Sequence, residues 1–326
     1  MKEIEYLKII NKTLSDSSLL GDDCAFLDAR SLGNSGLYVT HDSLVEDVHF
    51  RLGTTTPYLL GQKSVNVNLS DLAAACAEPL FITVSLSLPK TQDEHFVRSF
   101  YEGVNDVCKK YNLKVAGGDI TGAEKVFISI CAIGKKTVPF LISRKSAKAG
   151  DVVVTTGFHG DSAGGLKLLT DGKKTPDSLI EAHLNPQPQL EKSRIIAEFA
   201  DSDFAMMDTS DGLADALFKI SKESNVSISV DFDDIPISAE LKKNFDDSFK
   251  SLALWGGEDY QLLFCTGPSV FEKLDSTKFF KIGNVEAAQK EPIVNLKDGY
   301  ELFTIDEQTF ERKSFNHFED GKSEKI

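Results

Sequence analysis

Six aspartates, Asp23, Asp42, Asp71, Asp119, Asp208 and Asp211, each sit at an exit from an apolar run flanked by Gly, Ser or Thr. Carboxylates so placed supply hard oxygen ligands, the kind that suits magnesium. Magnesium is typically held by a few carboxylates together with substrate phosphates, so the pattern points to a nucleotide or polyphosphate. Asp is also favoured at helix caps and turns, and any one of the six has that simpler reading. The set is harder to explain as caps. Gly-Asp-Asp at 21–23, Gly-Gly-Asp at 117–119 and Gly-Gly-Glu-Asp at 256–259 combine acids with glycines, which let a backbone approach a ligand closely. A phosphate site holding several magnesium ions is the reading the set favours.

The elements that must position these residues follow from periodicity. Val65, Val67 and Leu69 alternate with Asn66 and Asn68, and Ser70-Asp71 precedes Leu72–Ala75. The pattern predicts strand, abrupt turn, helix, with Asp71 at the junction. Asp71 there either caps the helix or holds metal. Ile4, Leu7, Ile10 and Leu14 predict a helix over 2–14. Strands are expected at 37–40, 81–88 and 126–133, with a helix over 92–111 behind a capping box at Thr91–Glu94. The polar run 144–151 places a domain boundary, giving domains 1–143 and 144–326. Beyond it, a strand at 152–155 leads through a Gly-rich turn to a helix. Residues 205–217 repeat strand, Ser-Asp, helix, and 254–264 put a Gly pair and two acids before a strand. Ile282–Val285 is expected to be a short strand followed by loops.

Composition narrows the class. The chain has 326 residues, 41% hydrophobic, and a formal charge of -14 from 50 acidic and 36 basic residues. That excludes the basic footprint of a nucleic-acid binder, but not phosphate ligands, since divalent cations reverse the local sign. Five scattered cysteines without a C-x-x-C pair predict buried free thiols in a reducing cytoplasm. The charged start M-K-E-I-E-Y-L-K shows no secretory leader, and no apolar run is long enough to span a membrane. A Walker phosphate loop, the H-R-D and D-F-G kinase pair, a G-x-S-x-G elbow and H-E-x-x-H are all missing from the sequence. Nucleophilic triads and His-rich metal sites therefore have no support.

G-D-D-C-A at 21–25, T-H-D-S-L-V-E-D-V-H-F at 40–50, V-N-L-S-D-L-A-A at 67–74, G-G-D-I-T at 117–121, D-T-S-D-G-L at 208–213 and G-G-E-D-Y-Q-L at 256–262 run in one order. Together with R-K-S-A-K-A-G-D at 144–151, G-D-S-A-G-G-L at 160–166 and F-N-H-F at 315–318, they resemble the signature of the thiamine-monophosphate kinase family. That family lies in the superfamily of aminoimidazole ribonucleotide synthetase. The resemblance implies a two-domain α+β PurM-like fold. Its N-terminal mixed-sheet domain would pair with a twin in a homodimer, and its C-terminal α+β domain would complete a cleft. It implies transfer from ATP to thiamine monophosphate with several magnesium ions. Metal roles fall on Asp23, Asp42, Asp71, Asp119, Asp208 and Asp211, with Thr40 and His41 contributing oxygen. Asp71 and Asp211 would carry catalysis. Arg144, Ser210, Gly118 and Thr121 correspond to the nucleotide side, and His49, Glu258 and Phe315 to the thiamine-phosphate side.

His41, Cys76, Leu20 and Asn316 depart from the family pattern, Cys76 where a Gly is common. The rivals are other ATP-using members of the superfamily, or a nucleotide-binding dimer without activity. In this setting Asp71 becomes the central ligand shared between magnesium ions. Asp71→Ala is expected to abolish phosphoryl transfer while circular dichroism and melting temperature stay near wild type. Normal turnover would return Asp71 to a plain helix cap.

Overall fold

The computed structural model describes residues 24–27, 36–246 and 248–315. The helix expected over 2–14, Asp23 and the terminal positions 316–318 lie outside the described residues.

The N-terminal unit carries β1 (Ala25–Leu27), β2 (Leu37–Val45), α1 (Pro57–Ala74), β3 (Ala77–Leu88), α2 (Glu94–Tyr111), β4 (Lys114–Gly122) and β5 (Phe127–Lys136). Its sheet runs β1-β2-β5-β3-β4, antiparallel except for the β3–β4 pair. The C-terminal unit follows with β6 (Val152–Thr155), α3 (Asp161–Thr170), α4 (Asp177–Leu184), α5 (Leu190–Phe199), β7 (Ala205–Asp208), α6 (Leu213–Ser224) and β8 (Val226–Asp231). It continues with α7 (Ala239–Asn244), α8 (Phe249–Trp255), β9 (Leu262–Thr266), α9 (Pro268–Phe271), β10 (Phe280–Ala287), β11 (Val294–Asp298), β12 (Glu301–Ile305) and α10 (Glu307–Lys313). The seven strands order as β12-β11-β8-β10-β6-β9-β7. This is the α+β architecture expected from the sequence.

The main departure is α1. Residues 65–69 are not a strand, and Ser70-Asp71 is not a helix start. One helix runs from Pro57 to Ala74. Pro57 at its first position and Thr56, whose Oγ1 accepts from the Leu59 N–H at 3.2 Å, begin it. No breaker interrupts it, and a five-residue alternation cannot outweigh that continuity. Apolar and polar positions are buried alike because the helix is surrounded, which erases the one-sided periodicity of a surface helix. The asparagines that mimicked the solvent face of a strand find partners inside, although Asn66 Oδ1 has none among the described residues. Asn68 donates to the Ser64 carbonyl at 3.0 Å and accepts from the Asp42 N–H at 3.1 Å. Asn66 donates to Asn185 Oδ1 at 3.2 Å. The chain leaves the helix at Cys76, whose φ of 46° is the left-handed conformation that glycine adopts without strain.

Two other expectations change. Asp42 and Asp119 lie inside β2 and β4, not at strand exits. The stretch after Val285 is not loop: β11 and β12 form a hairpin whose two-residue turn places Gly299 at φ 59°.

The largest core cluster joins α1, α2 and the first sheet to Val152, Val154, Met206, Phe264 and Phe279 of the second unit. The two units therefore share one apolar interior through α1. The five cysteines are free, and all but Cys131 are buried. Among the described residues no helix is long and apolar enough to cross a membrane.

α1 and α2 cross at two glycines. A Cβ on Gly61 would stand 2.0 Å from the Phe100 carbonyl oxygen, and one on Gly103 would stand 2.0 Å from that of Tyr58. Gly61→Ala must push the helices apart and is expected to cost roughly 1–3 kcal/mol. The loss should appear as a lower urea midpoint with an unchanged slope.

Candidate active site

The carboxylates converge from both units. Asp42 comes from β2 and Asp71 from the last turn of α1. Asp208 ends β7, and Glu258 lies in the Gly256–Tyr260 loop that enters β9. All four lie near enough to Tyr260, which is buried, for their charges to act on it. Burial raises its phenol far above the ordinary range, and the charges of Glu258, Asp42, Asp208 and Asp71 raise it further. Four acids from distant parts of the sequence thus act on one hydroxyl.

Neighbouring hydroxyls hold these acids. Thr40 Oγ1 donates to Asp71 Oδ2. Asp208, 1% exposed, accepts from Ser70 Oγ at 2.6 Å through Oδ2 and from Ser210 Oγ at 2.9 Å through Oδ1. Ser70 and Asp71 are consecutive on α1, yet one reaches the C-terminal unit and the other the N-terminal sheet.

Lys219 holds Asp211 at 2.9 Å and Asp215 at 2.7 Å. Burial disfavours the Lys219 charge, but the two carboxylates outweigh it and hold its ammonium above the usual lysine range. Burial pushes the Asp215 carboxyl up to about 6, against the pull of Lys219 and Arg144. Asp215 and Lys219 stand one turn apart on α6, and Asp211 reaches the same lysine from the turn just before the helix. Arg144, whose carbonyl accepts from Ser224 Oγ at 2.7 Å, brings its charge to the same place.

The loop carrying Glu258 is tightly tied. Glu258 and Tyr260 both take left-handed backbone, φ 65° and 50°. The Glu258 N–H donates to the Ser210 carbonyl at 2.7 Å. Asp259 accepts from the Gly160 and Ser162 amides, at 2.6 and 2.9 Å, at the start of α3. The Glu258 carboxylate lies 3.1 Å from Lys63 Nζ through each oxygen and 3.3 Å from His183 Nδ1. Burial would raise the Glu258 carboxyl, but Lys63 and His183 together hold it below the ordinary glutamate range. Burial, with Lys63 beside it, lowers His183 to about 4, so the imidazole is neutral at pH 7. His49 of the N-terminal unit, whose Nδ1 accepts from the Val45 N–H at 3.0 Å, also lies close enough to act on Glu258.

Other residues singled out in the sequence lie elsewhere. His41 faces Ser129 on the sheet face opposite Thr40 and Asp42. Asp119 falls in a lateral row with Ser43, Ser129 and Ser85 on that same far face. Gly118 and Thr121 share its exposed strand β4. Phe315 follows α10 and is exposed. Among the described residues no three His, Cys, Asp or Glu side chains close into a ready metal cage. The oxygen-only donors around Tyr260 nevertheless suit magnesium, which completes its shell with water and substrate phosphate. Lys63, His183, Asp215, Lys219 and Tyr260 were not legible as site residues. Only the Asp211-Asp215-Lys219 spacing carried a local signal.

Two α+β units joined by a shared helix, with acids converging between them, define the class. The N-terminal domain of AIR synthase related proteins matches residues 21–135, and the C-terminal domain of that family matches 148–293. The thiamine-monophosphate kinase of Bacillus subtilis (strain 168) is 32% identical over 98% of this chain and 100% of its own length. That of Aquifex aeolicus (strain VF5) is 35% identical over 97% of this chain and 98% of its own. The solved structure of AaThiL complexed with AMPPCP and TMP superposes with a TM-score of 0.84 and 32% identity, covering 97% of both chains. The chain belongs to the thiamine-monophosphate kinase family.

The α6 cluster generates a test of stability. Lys219→Met leaves Asp215, buried at 3% exposure, without its cation and is expected to cost about 3 kcal/mol. Adding Asp215→Asn should recover most of that loss in chemical denaturation. An additive second loss would mean that the two side chains contribute independently.

Proposed function

We propose that this chain is a cytoplasmic, homodimeric kinase that transfers the γ-phosphoryl group of ATP to thiamine monophosphate, giving thiamine diphosphate and ADP. The observation that carries the reading is the gathering of three aspartates from both units around α1: Thr40 of β2 donates to Asp71, Asn68 accepts from the Asp42 N–H, and Ser70 donates to Asp208 of β7. Relatives alike over their full length bear the same activity in their names, and one was solved with an ATP analogue and TMP.

The acceptor is a phosphate monoester with a second pKa of about 6, so at pH 7 it is largely a dianion and is its own nucleophile. An acceptor oxygen bonds to the γ-phosphorus as the bond from that phosphorus to the ADP oxygen breaks, in line and without a phospho-enzyme. No general base is required. The difficulty is bringing two anions together among carboxylates. Several magnesium ions, held by Asp42, Asp71 and Asp208 with Thr40 and Asp211, would supply the neutralising charge. Asp119 lies across the sheet from this group, and Asp23 stands outside the described residues.

Arg144 and Ser210 flank the aspartate loop and suit the nucleotide phosphates. His49 and Glu258 suit the thiamine side. The domains divide at 143/144. An exposed edge strand β4 supports pairing with a second copy through the N-terminal sheet.

Incubation with ATP, magnesium and thiamine monophosphate should yield thiamine diphosphate and ADP in equal amounts. Turnover of free thiamine but not of its monophosphate would overturn the assignment.

A further inference from the structure

Lys63 is buried in the middle of α1, its side chain 4% exposed, in a helix whose neighbouring positions are also covered. Its ammonium makes three contacts, all across to the C-terminal unit. It donates to the His183 carbonyl at 3.0 Å and meets both Glu258 oxygens at 3.1 Å. An ammonium has three N–H donors, and this geometry accounts for all of them. His183 Nδ1 lies 3.2 Å from Ser162 Oγ as well as 3.3 Å from Glu258 Oε2, so it is fixed between the two.

The arrangement is lopsided. The lysine end is sealed, whereas the Glu258 side chain keeps 24% exposure. A carboxylate has about four acceptor positions. Lys63 takes one on each oxygen, leaving acceptor capacity on the open edge. A buried ion pair contributes little net stability over an apolar pair, so the cluster calls for another role. The left-handed backbone at Glu258 also fits a loop constrained for its side chain's direction rather than for stability.

We propose that Lys63 is a positioning residue for thiamine monophosphate. It fixes the direction of the Glu258 carboxylate, so that its open edge accepts N–H donors of the bound heterocycle. This rests on the reading of Glu258 as a substrate contact. Because Lys63 belongs to the N-terminal unit and Glu258 to the C-terminal one, recognition of the acceptor depends on the two units being correctly apposed. The nucleotide side is anchored elsewhere: the Ser210 hydroxyl donates to Asp208, and the Arg144 carbonyl accepts from Ser224.

The test is calorimetric titration of the full-length protein with thiamine monophosphate, joined to steady-state kinetics. Lys63→Met should weaken acceptor binding and raise its KM by about tenfold or more, while the KM for ATP stays within about twofold. Lys63→Arg, which keeps a two-toothed grip on the carboxylate, should recover most of the loss. The Lys63→Met/Glu258→Gln protein removes both charges together and so avoids a stranded buried carboxylate. It should bind the acceptor no more weakly than Glu258→Gln alone. Equal rises in both KM values, or unchanged acceptor binding in Lys63→Met beside a weakened Glu258→Gln, would overturn the role of Lys63. Unchanged binding in Glu258→Gln itself would overturn the Glu258 contact, and this inference with it.

Discussion

Everything in this protein depends on a helix that has no solvent face. A helix surrounded by protein must satisfy its polar side chains inside, because an unpaired buried polar group costs free energy comparable to a lost hydrogen bond or more. On α1 partners from both units meet most of that requirement, with Asn66 Oδ1 the exception among the described residues. Asn68 and Asp71 are answered by β2 and its Thr40, and Lys63, Asn66 and Ser70 by His183, Glu258, Asn185 and Asp208. The contacts that satisfy the helix are the same contacts that set the two units against each other. The apolar cluster around it does the rest, since it does not stop at the boundary between units.

The electrostatics follow from that placement. Four carboxylates from both units lie near a single buried phenol. Three of them are held by neutral donors or a cation: Thr40 for Asp71, two serines for Asp208, Lys63 for Glu258. These are restrained positions that still leave oxygen lone pairs directed elsewhere. Such a site attracts cations and, with them, phosphate.

Much of the architecture was legible in the sequence. The second half, with apolar runs ending in Gly-rich acidic turns, places β6, β7, β9 and α6 where their periodicity and turn residues put them. The motifs also named Asp42, Asp71, Asp208 and Glu258. The misreading of 65–69 has a clear cause. Alternation of Val and Asn signals a strand only if the asparagines face water, and here they face partners supplied by Asp42 and Asn185. Lys63 and His183 stayed hidden for a related reason. They meet Glu258 across 195 and 75 positions of sequence, a proximity that only the packing of the units creates. Asp119 sat within the right motif but on the far face of the sheet, a distinction set by strand register rather than by neighbouring residues.

The neighbours Ser70 and Asp71 have a consequence for how the chain can change over time. Successive residues of a helix are separated by about 100° around its axis, and here that rotation assigns one side chain to each half of the molecule. Removing or adding a single residue between Lys63 and Ser70 would turn one end against the other by that same angle, and every crossing contact would be mismatched at once. α1 can therefore exchange side chains but cannot change its length by one. Insertions and deletions accumulated by lineages of this fold must fall outside it, in the loops that its geometry does not count.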